Sequence, residues 1–493
     1  MGVKIVVIAD LHAGDARLNG HIRGDIADLL LARAALWCNT SIHPDITILL
    51  GDIADDGKSE EGKAWYPRIR KALGRVQGQT MIIPGNHDCD TQEFYKVFER
   101  PGEWVDVKGV RIVPFIDEDI TLWNSRRSQS DIGRMKRARA GFDGEIVCVQ
   151  HVPILPRGAS ECPYNAVNAE EIIGVMKQER MLLTIGGHYH LGVDLVEQDG
   201  IYFGAADAIC RGEFGFWEVN IEGKEVTVTK RKLMLPRELE LIDLHNHTPL
   251  GYCGSHMDIV RAVPFAKDCG LTALGFSEHT DQLLLCHDKF EVGYCHLHGL
   301  AEFPPEESRV GQYYELFERM QLGRENLGFE LECNFDGEVL LAREDAERAS
   351  YLIGSVHGLE EMQYGGGDVK KAHQELLRRT ECVLKYGADV LAHPFRCAIE
   401  SGLDEPVEIY DDMIGLLKKY GAAAEINCHR HQSAWEFFKK CIEAGVKISL
   451  GSDSHREWQV GLLWPHLEVL EKCGVGAGDL KRVLVDPRRK RRQ

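Results

Sequence analysis

Leu241-Ile242-Asp243-Leu244-His245-Asn246-His247-Thr248 lies near the middle of a 493-residue chain, and its reading decides how the rest is organised. A short apolar run ending in two histidines one residue apart is the pattern of a buried strand that delivers imidazoles to the carboxyl end of a sheet or barrel, where metal sites are built. The chain opens in the same style, the β-branched run Lys4 to Ala9 leading into Asp10-Leu11-His12. Two metal-binding α/β domains in series are therefore expected.

Composition narrows the class. A chain of 493 residues exceeds one ordinary core and fits two large domains. A hydrophobic share of 44% and a charged share of 27% are those of a soluble globular protein. No apolar run approaches the roughly 18 residues needed to cross a bilayer, and the first residues enter a strand without the pattern of a secretion signal. The cytoplasm is the expected location, with no membrane partner. The 15 cysteines are scattered singly without a Cys-x-x-Cys pair, which points to reduced thiols. A formal net charge of −19 disfavours nucleic acid as the main partner and favours a small phosphorylated substrate. Arg126, Arg127, Arg134, Lys136, Arg137 and Arg139 run against that average, as do Arg488 to Arg492. They read as a solvated helix face and a frayed tail, or, for the first cluster, as a guide for a phosphorylated substrate.

From Met1 to about Leu235, strand-like runs at Val3 to Ala9, Ile46 to Leu50, Thr80 to Ile83, Glu145 to Gln150 and Leu182 to Ile185 each end at a polar cluster. The clusters are Asp10-Leu11-His12, Gly51-Asp52, Gly85-Asn86-His87-Asp88, His151 and Gly186-Gly187-His188-Tyr189-His190. Carboxylate, amide and imidazole together suit manganese, iron or zinc better than calcium. Two such ions need one bridging carboxylate, and Asp52 is the candidate.

These five ordered blocks resemble the calcineurin-like metallophosphoesterase superfamily over roughly residues 1 to 230. The resemblance implies a four-layer α/β/β/α sandwich with two divalent ions. One would sit on Asp10, His12, Asp52 and His190, the other on Asp52, Asn86, His151 and His188. It also implies that His87 contacts the phosphate and protonates the leaving oxygen, with Asp88 orienting it. Gly51 to Gly57 and Pro84 to Asp88 look most like the branch that includes cyclic-nucleotide phosphodiesterases, although DNA-end nucleases share the same ligands.

A last strand at Glu225 to Thr229 and a charged joint from Arg231 to Glu240 place the domain boundary near Pro236, dividing the chain into 1–235 and 236–493. Beyond it, strands at Ala273 to Phe276, Gly328 to Leu331, Leu352 to Ser355, Val390 to Ala392, Ala423 to Ile426 and Lys447 to Leu450 alternate with helical stretches. Polar residues close nearly every one. With the strand before His245 this fits a β/α barrel of about seven units whose strand ends converge on one mouth.

The blocks His245-Asn246-His247, Ser277-Glu278-His279, Gly328-Phe329-Glu330, Gly354-Ser355-Val356-His357, Ala392-His393-Pro394 and Gly451-Ser452-Asp453-Ser454-His455 resemble the PHP superfamily (polymerase and histidinol phosphatase) over roughly residues 240 to 485. The resemblance implies a distorted (β/α)7 barrel, hydrolysis of phosphate esters and up to three ions. Their ligands would be His245, His247, His256, His279, Glu330, His357, His393, Asp453 and His455. His256 lies three residues later than the third histidine of the histidinol-phosphatase pattern, and Cys253 stands at the expected spacing, so either fills that slot. Glu332 shares a strand face with Glu330, which is preferred because it follows Gly-Phe. Arg396, just after His393-Pro394, is a candidate phosphate clamp. Cys295-His296-Leu297-His298 and Cys428-His429-Arg430-His431 read as loops near the mouth.

The expectation is a phosphodiesterase-like site followed by a phosphomonoesterase-like site. The alternatives are a nuclease acting on DNA or RNA ends, and a chain in which one half is a sensing or structural module.

Overall fold

The structure is a computed structural model that describes residues 2–16, 21–363, 367–430 and 434–488. The chain is mixed α/β and divides into two compact units, Met1–Met234 and Leu235–Gln493.

In the first unit the buried run Val3–Ile8 is the middle of a five-stranded sheet, in the order Glu225–Lys232, Gly215–Glu222, Val3–Ile8, Ile46–Leu50, Gln79–Ile83. The last three are parallel, so their carboxyl ends, carrying Asp10, Asp52 and Asn86, lie on one edge. A second sheet of six strands runs Val193–Gln198, Ile201–Ala205, Leu183–Gly186, Glu145–Val149, Val110–Pro114, Val105–Val107. Its parallel pair Glu145–Val149 and Leu183–Gly186 brings His151 and His188 to its carboxyl edge. Ile5, Ile48 and Ile83 of one sheet share a core with Val147 and Ile185 of the other. A second core joins the six-stranded sheet to helices Gln129–Arg139 and Ala169–Gln178 through Val113, Phe203, Met135 and Ile172.

The hairpin Val193–Gln198 and Ile201–Ala205 has no counterpart among the expected strands. Its first arm is half solvated and carries Asp194 and Glu197, which hides the apolar alternation. The turn signal is present: Asp199 and Gly200 both take left-handed φ (56° and 78°), as a two-residue hairpin turn requires.

In the second unit six strands form an all-parallel sheet in chain order, Phe276–His279, Leu327–Leu331, Tyr351–Gly354, Val390–Leu391, Ala423–Asn427 and Ile448–Gly451. The expected strand Ala273 to Phe276 is split at Gly275. Ala273–Leu274 pairs instead with Ile242–Asp243, and a Cβ at Gly275 would lie 2.8 Å from Leu244 and 2.5 Å from the Tyr351 hydroxyl. The His245 segment continues alongside the end of the last strand: Asn246 bridges Ser454, and the His247 amide donates to the Ser454 carbonyl at 2.9 Å. Buried Asp243 secures that junction by accepting from the amides of Ser452 (3.1 Å) and Gly461 (2.9 Å). Among the described residues no helix is long and apolar enough to cross a membrane.

Candidate metal centres

In the first unit the strand ends turn through strained backbone. Asp10, His12, Asp52 and His188 take left-handed φ of 56°, 43°, 50° and 64°, a conformation that costs a non-glycine residue energy and clusters at functional sites. Gly51 is there for space as well as for its φ of 84°, since a Cβ would lie 2.6 Å from His151 Nδ1.

Asp52 occupies the centre. Its Oδ2 lies 3.5 Å from His12 Nε2 on one side and 3.2 Å from His151 Nε2 on the other. Beyond His12, the Nε2 atoms of His12 and His190 stand 3.0 Å apart, and His190 Nε2 is 3.8 Å from Asp10 Oδ1. Beyond His151, its Nε2 is 3.0 Å from Asn86 Oδ1 and 3.2 Å from His188 Nδ1. The donor atoms of Asp10, His12 and His190, and those of Asp52, His151 and His188, form two groups close enough to hold an ion each. The far nitrogens are secured from behind: His12 Nδ1 lies 3.0 Å from Asp55 and His151 Nδ1 2.6 Å from the Leu50 carbonyl. Such outer contacts fix which nitrogen faces a metal.

The electrostatics suit cations. Burial, aided by the charge of Asp52, raises the Asp10 carboxyl to about 7. Asp52 is held low against burial by His151. Burial and the charge of neighbouring imidazoles lower His188 to about 4 and His190 to about 3. Against burial, the charge of Asp52 raises His151 to about 10 and, with Asp55, raises His12, so buried carboxylates and imidazoles crowd into a donor set that divalent ions complete.

His87 reaches this cleft, its Nδ1 2.7 Å from the Asp55 carbonyl. Asp88 does not orient it. The Asp88 carboxylate turns inward and accepts from the amides of Gly85 (2.8 Å), Ala54 (3.0 Å) and Ile53 (3.1 Å) and from the Tyr66 hydroxyl (3.1 Å), because those buried donors need an acceptor. The expected partner of His87 is thus replaced by a backbone carbonyl, and Asp88 braces the two ligand loops.

The basic cluster near residue 130 is mostly consumed by structure. Arg127 is buried against Asp117 at 2.9 Å and stacks on Phe115, while Arg139 donates to the carbonyls of Glu179 (2.7 Å) and Gly144 (2.8 Å). Arg134 and Arg137 face Asp131 and Glu103. The carboxy-terminal basic run from 489 onward lies outside the described residues.

In the second unit the centre is Glu330, fully buried at the end of its strand. Five imidazoles approach its carboxylate: His279 Nδ1 at 2.8 Å, His393 Nε2 at 3.1 Å, His357 Nε2 at 3.3 Å, His245 Nε2 at 3.4 Å and His247 Nε2 at 3.7 Å. Asp453 Oδ1 lies 2.9 Å from His247 Nε2 and 3.7 Å from His455 Nδ1. His393 and Asp453 again take left-handed φ, 26° and 51°. Glu332 stands behind His357 Nδ1 at 2.7 Å, Glu278 behind His247 Nδ1 at 3.1 Å and Glu425 behind His245 Nδ1 at 2.8 Å. The two acids of the Glu330 strand therefore divide into an inner and an outer one. Burial and the Arg396 charge hold His393 neutral well below its ordinary value, and burial with the His247 charge lowers His455 to about 2. One carboxylate among five imidazoles is the kind of set that divalent ions fit.

Other expectations shift. His256 is exposed on the surface, whereas Cys253 is half-buried and its sulfur falls in one donor group with His247, His279 and His455. The chain turns back at Gly251 and Gly254, which carries residue 256 away from the centre. Arg396 is in the site wall, but its terminal nitrogens face Asp453 and Asn427, each at 2.5 Å, so it holds those side chains. His429, whose ring lies 4.8 Å from that of His455, is closer to the centre than its loop context suggested. His431 lies outside the described residues. His298 stacks on Tyr294 and faces Glu302, and His296 stacks on Phe335.

Both units thus present metal-ligand clusters at the carboxyl ends of parallel strands. Residues 3–192 match the family model for calcineurin-like phosphoesterase and residues 243–429 the model for the PHP domain. The chain thus carries regions that match these two domain models, the calcineurin-like phosphoesterase first and the PHP domain second. Asp453 and His455 lie beyond the PHP match, yet the structure joins them to its cluster.

Similar proteins include Metallophosphoesterase 1 of Gallus gallus, 29% identical over 133 residues, covering 22% of this chain and 31% of that protein. Metallophosphoesterase 1 homolog of Caenorhabditis elegans is 26% identical over 181 residues, covering 32% and 47%. The chain thus spans 31% to 47% of the length of these curated relatives. Among solved structures, a dimetal phosphatase from Danio rerio aligns with 47% of this chain and 96% of its own, at 14% identity and a TM-score of 0.41.

Proposed function

We propose that the chain is a phosphoesterase with two hydrolytic sites, a dinuclear phosphodiesterase-like site in a four-layer sandwich and a trinuclear phosphomonoesterase-like site in a distorted seven-unit barrel. The observation that carries this reading is the placing of one carboxylate between two imidazole sets in each half, Asp52 in the first and Glu330 in the second. Asp10, His12, Asp52 and His190 would hold one ion and Asp52, Asn86, His151 and His188 the other. In the second half the holders are His245, His247, His279, Glu330, His357, His393, Asp453 and His455. When bound, the cations supply Lewis acidity, neutralising phosphate charge and activating water.

The chain's own residues do the rest. With His87 Nδ1 held on the Asp55 carbonyl, Nε2 is the atom left to exchange a proton with the leaving oxygen. Asp55 orients both His12, through its carboxylate, and His87, through its carbonyl. Arg396 keeps Asp453 directed at the second centre.

The first cleft has a volume of about 520 Å³, large enough for a nucleotide-sized ligand, and its lining includes His87, Trp123, Tyr164, Tyr189 and Arg211. Trp123 is 59% exposed and lies parallel to His87, with ring centroids 6.0 Å apart. An exposed indole beside a phosphate-handling imidazole favours an aromatic group next to the scissile phosphate, as in a cyclic or modified nucleotide. The second half would then remove phosphate from the resulting monoester.

The test is product analysis with the full chain and a cyclic nucleotide in the presence of manganese. The wild type is expected to release nucleoside and phosphate, and His245→Ala to stop at the monoester. Failure of the monoester to accumulate in the variant would defeat the sequential reading.

A further inference from the structure

The second cluster contains a sulfur donor beside its nitrogen and oxygen donors. The ligand atoms of His247, Cys253, His279 and His455 all lie within 4.8 Å of one another, and Cys253 is the sulfur donor among them. The first unit's groups Asp10, His12 and His190, His12, Asp52 and His87, and Asp52, His151 and His188 offer only nitrogen and oxygen, as does the group His245, Glu330 and His393.

The loop that carries Cys253 is anchored at several points. The Thr248 amide donates to Glu278 at 2.7 Å, and Arg309 holds the Leu250 carbonyl at 2.7 Å. The Tyr252 hydroxyl donates to the Leu285 carbonyl at 2.7 Å. The Cys253 amide donates to Gln282 Oε1 at 3.3 Å, and Gln282 Nε2 donates to the sulfur at 3.3 Å. The path is tight: a Cβ on Gly251 would lie 2.8 Å from Glu278 Cδ, and one on Gly254 2.5 Å from the Thr248 carbonyl oxygen. Next to the sulfur, His279 Nδ1 sits 2.8 Å from Glu330 Oε2, a buried oxygen without a hydrogen bond of normal geometry among the described residues. The four donor atoms of the set thus converge beside the buried Glu330 carboxylate.

We propose that Cys253, with His247, His279 and His455, binds one ion of the second domain as a thiolate, and that this position takes zinc in preference to manganese or magnesium. A thiolate is a soft ligand that selects zinc, and three imidazoles with one sulfur are a four-donor set suited to its tetrahedral preference. The positions around Glu330 and Asp52, with nitrogen and oxygen donors, lack the thiolate that supplies this bias. The chain would then hold ions of unlike chemistry, zinc at the sulfur position and exchangeable manganese or iron elsewhere. This rests on the reading of the second cluster as a metal centre, but not on the substrate assigned to it.

The experiment uses the full chain, stripped of metal and titrated with cobalt(II) as a spectroscopic stand-in for zinc. The wild type is expected to show a near-ultraviolet thiolate-to-cobalt charge-transfer band, absent from Cys253→Ser and from Cys253→His, while both variants keep the visible bands of nitrogen-bound cobalt. Zinc affinity at this position should fall at least about tenfold in Cys253→Ser. Cys253→His, which restores an imidazole, should retain binding with a smaller preference for zinc over manganese.

A second measurement needs no variant. Zinc, but not magnesium, should protect Cys253 from alkylation in the wild type, with partly exposed Cys162, Cys286 and Cys473 as internal controls read by mass spectrometry. A wild type without the charge-transfer band, or a band unchanged in Cys253→Ser, overturns the proposal, as does alkylation of Cys253 indifferent to zinc. Turnover without the band would sink the thiolate alone, and the band without turnover would sink the hydrolytic assignment alone.

Discussion

Replacing Glu425 with glutamine should loosen the metals of the second domain and leave those of the first in place. Glu425 is 1% exposed. Its Oε1 lies 2.8 Å from His245 Nδ1, while Oε2 accepts from Asn427 Nδ2 at 3.0 Å and from the His393 amide at 3.3 Å. Glutamine keeps the volume but removes the charge that makes His245 a strong donor and, in one amide orientation, sets an NH2 against two other donors. Loss of such a carboxylate behind a ligating histidine costs about 10- to 100-fold in metal affinity, or roughly 1.4 to 2.7 kcal/mol at 1.36 kcal/mol per decade. Removing a buried charge also relieves desolvation, so the metal-free protein should unfold at nearly the wild-type temperature and the difference should appear only when metal is present. The assay is metal content per chain after dialysis against graded chelator, with thermal unfolding in parallel. The first domain is the internal control within each molecule. Retention equal to wild type, or equal losses from both halves, would refute the reasoning.

Gly51→Ala should destabilise the first domain by about 1 to 3 kcal/mol, since its Cβ would lie 2.6 Å from His151 Nδ1 at a φ of 84°. Chemical denaturation and the metal content of the first site check it together. Arg379 is fully buried with a terminal nitrogen 3.2 Å from Glu332 Oε1, so Arg379→Met should cost about 3 to 5 kcal/mol by breaking a buried ion pair and leaving the carboxylate with His357 alone. Adding Glu332→Gln to that variant should recover part of the loss in the same denaturation measurement. Trp123→Ala should weaken KM for a nucleobase-bearing phosphodiester by the worth of one stacked base, about 1 to 3 kcal/mol, while turnover of an alkyl phosphodiester stays near wild type. Equal effects on both substrates would remove the indole from recognition.

Most of the site was legible because its chemistry sits at strand ends. Val3–Ile8, Ile46–Leu50 and Leu327–Leu331 are apolar runs that stop at candidate ligands, and a run of that kind announces both the strand and the side chains it delivers. What remained hidden depends on where a loop turns or which way a side chain faces. Cys253 and His256 are three residues apart, and only the path through Gly251 and Gly254 decides which of them reaches His247. Asp88 adjoins His87 in sequence, yet the amides of Ile53, Ala54 and Gly85 claim its carboxylate. Glu425 carries a signal of its own: a lone carboxylate inside the apolar strand Ala423–Asn427 must find a buried partner, and here that partner is His245. The solvated strand Val193–Gln198 lacked the periodicity that marks a buried one, although its Asp-Gly turn was readable.

The central claim is that the chain holds two independent hydrolytic sites. The most direct measurement is turnover of one phosphodiester and one phosphomonoester with manganese by wild type, Asp52→Asn and His245→Ala. Loss of only the diesterase in Asp52→Asn and only the monoesterase in His245→Ala is the predicted result. If either substitution abolishes both activities, or neither affects turnover, one half does not act as an enzyme in its own right and the two-site account is contradicted.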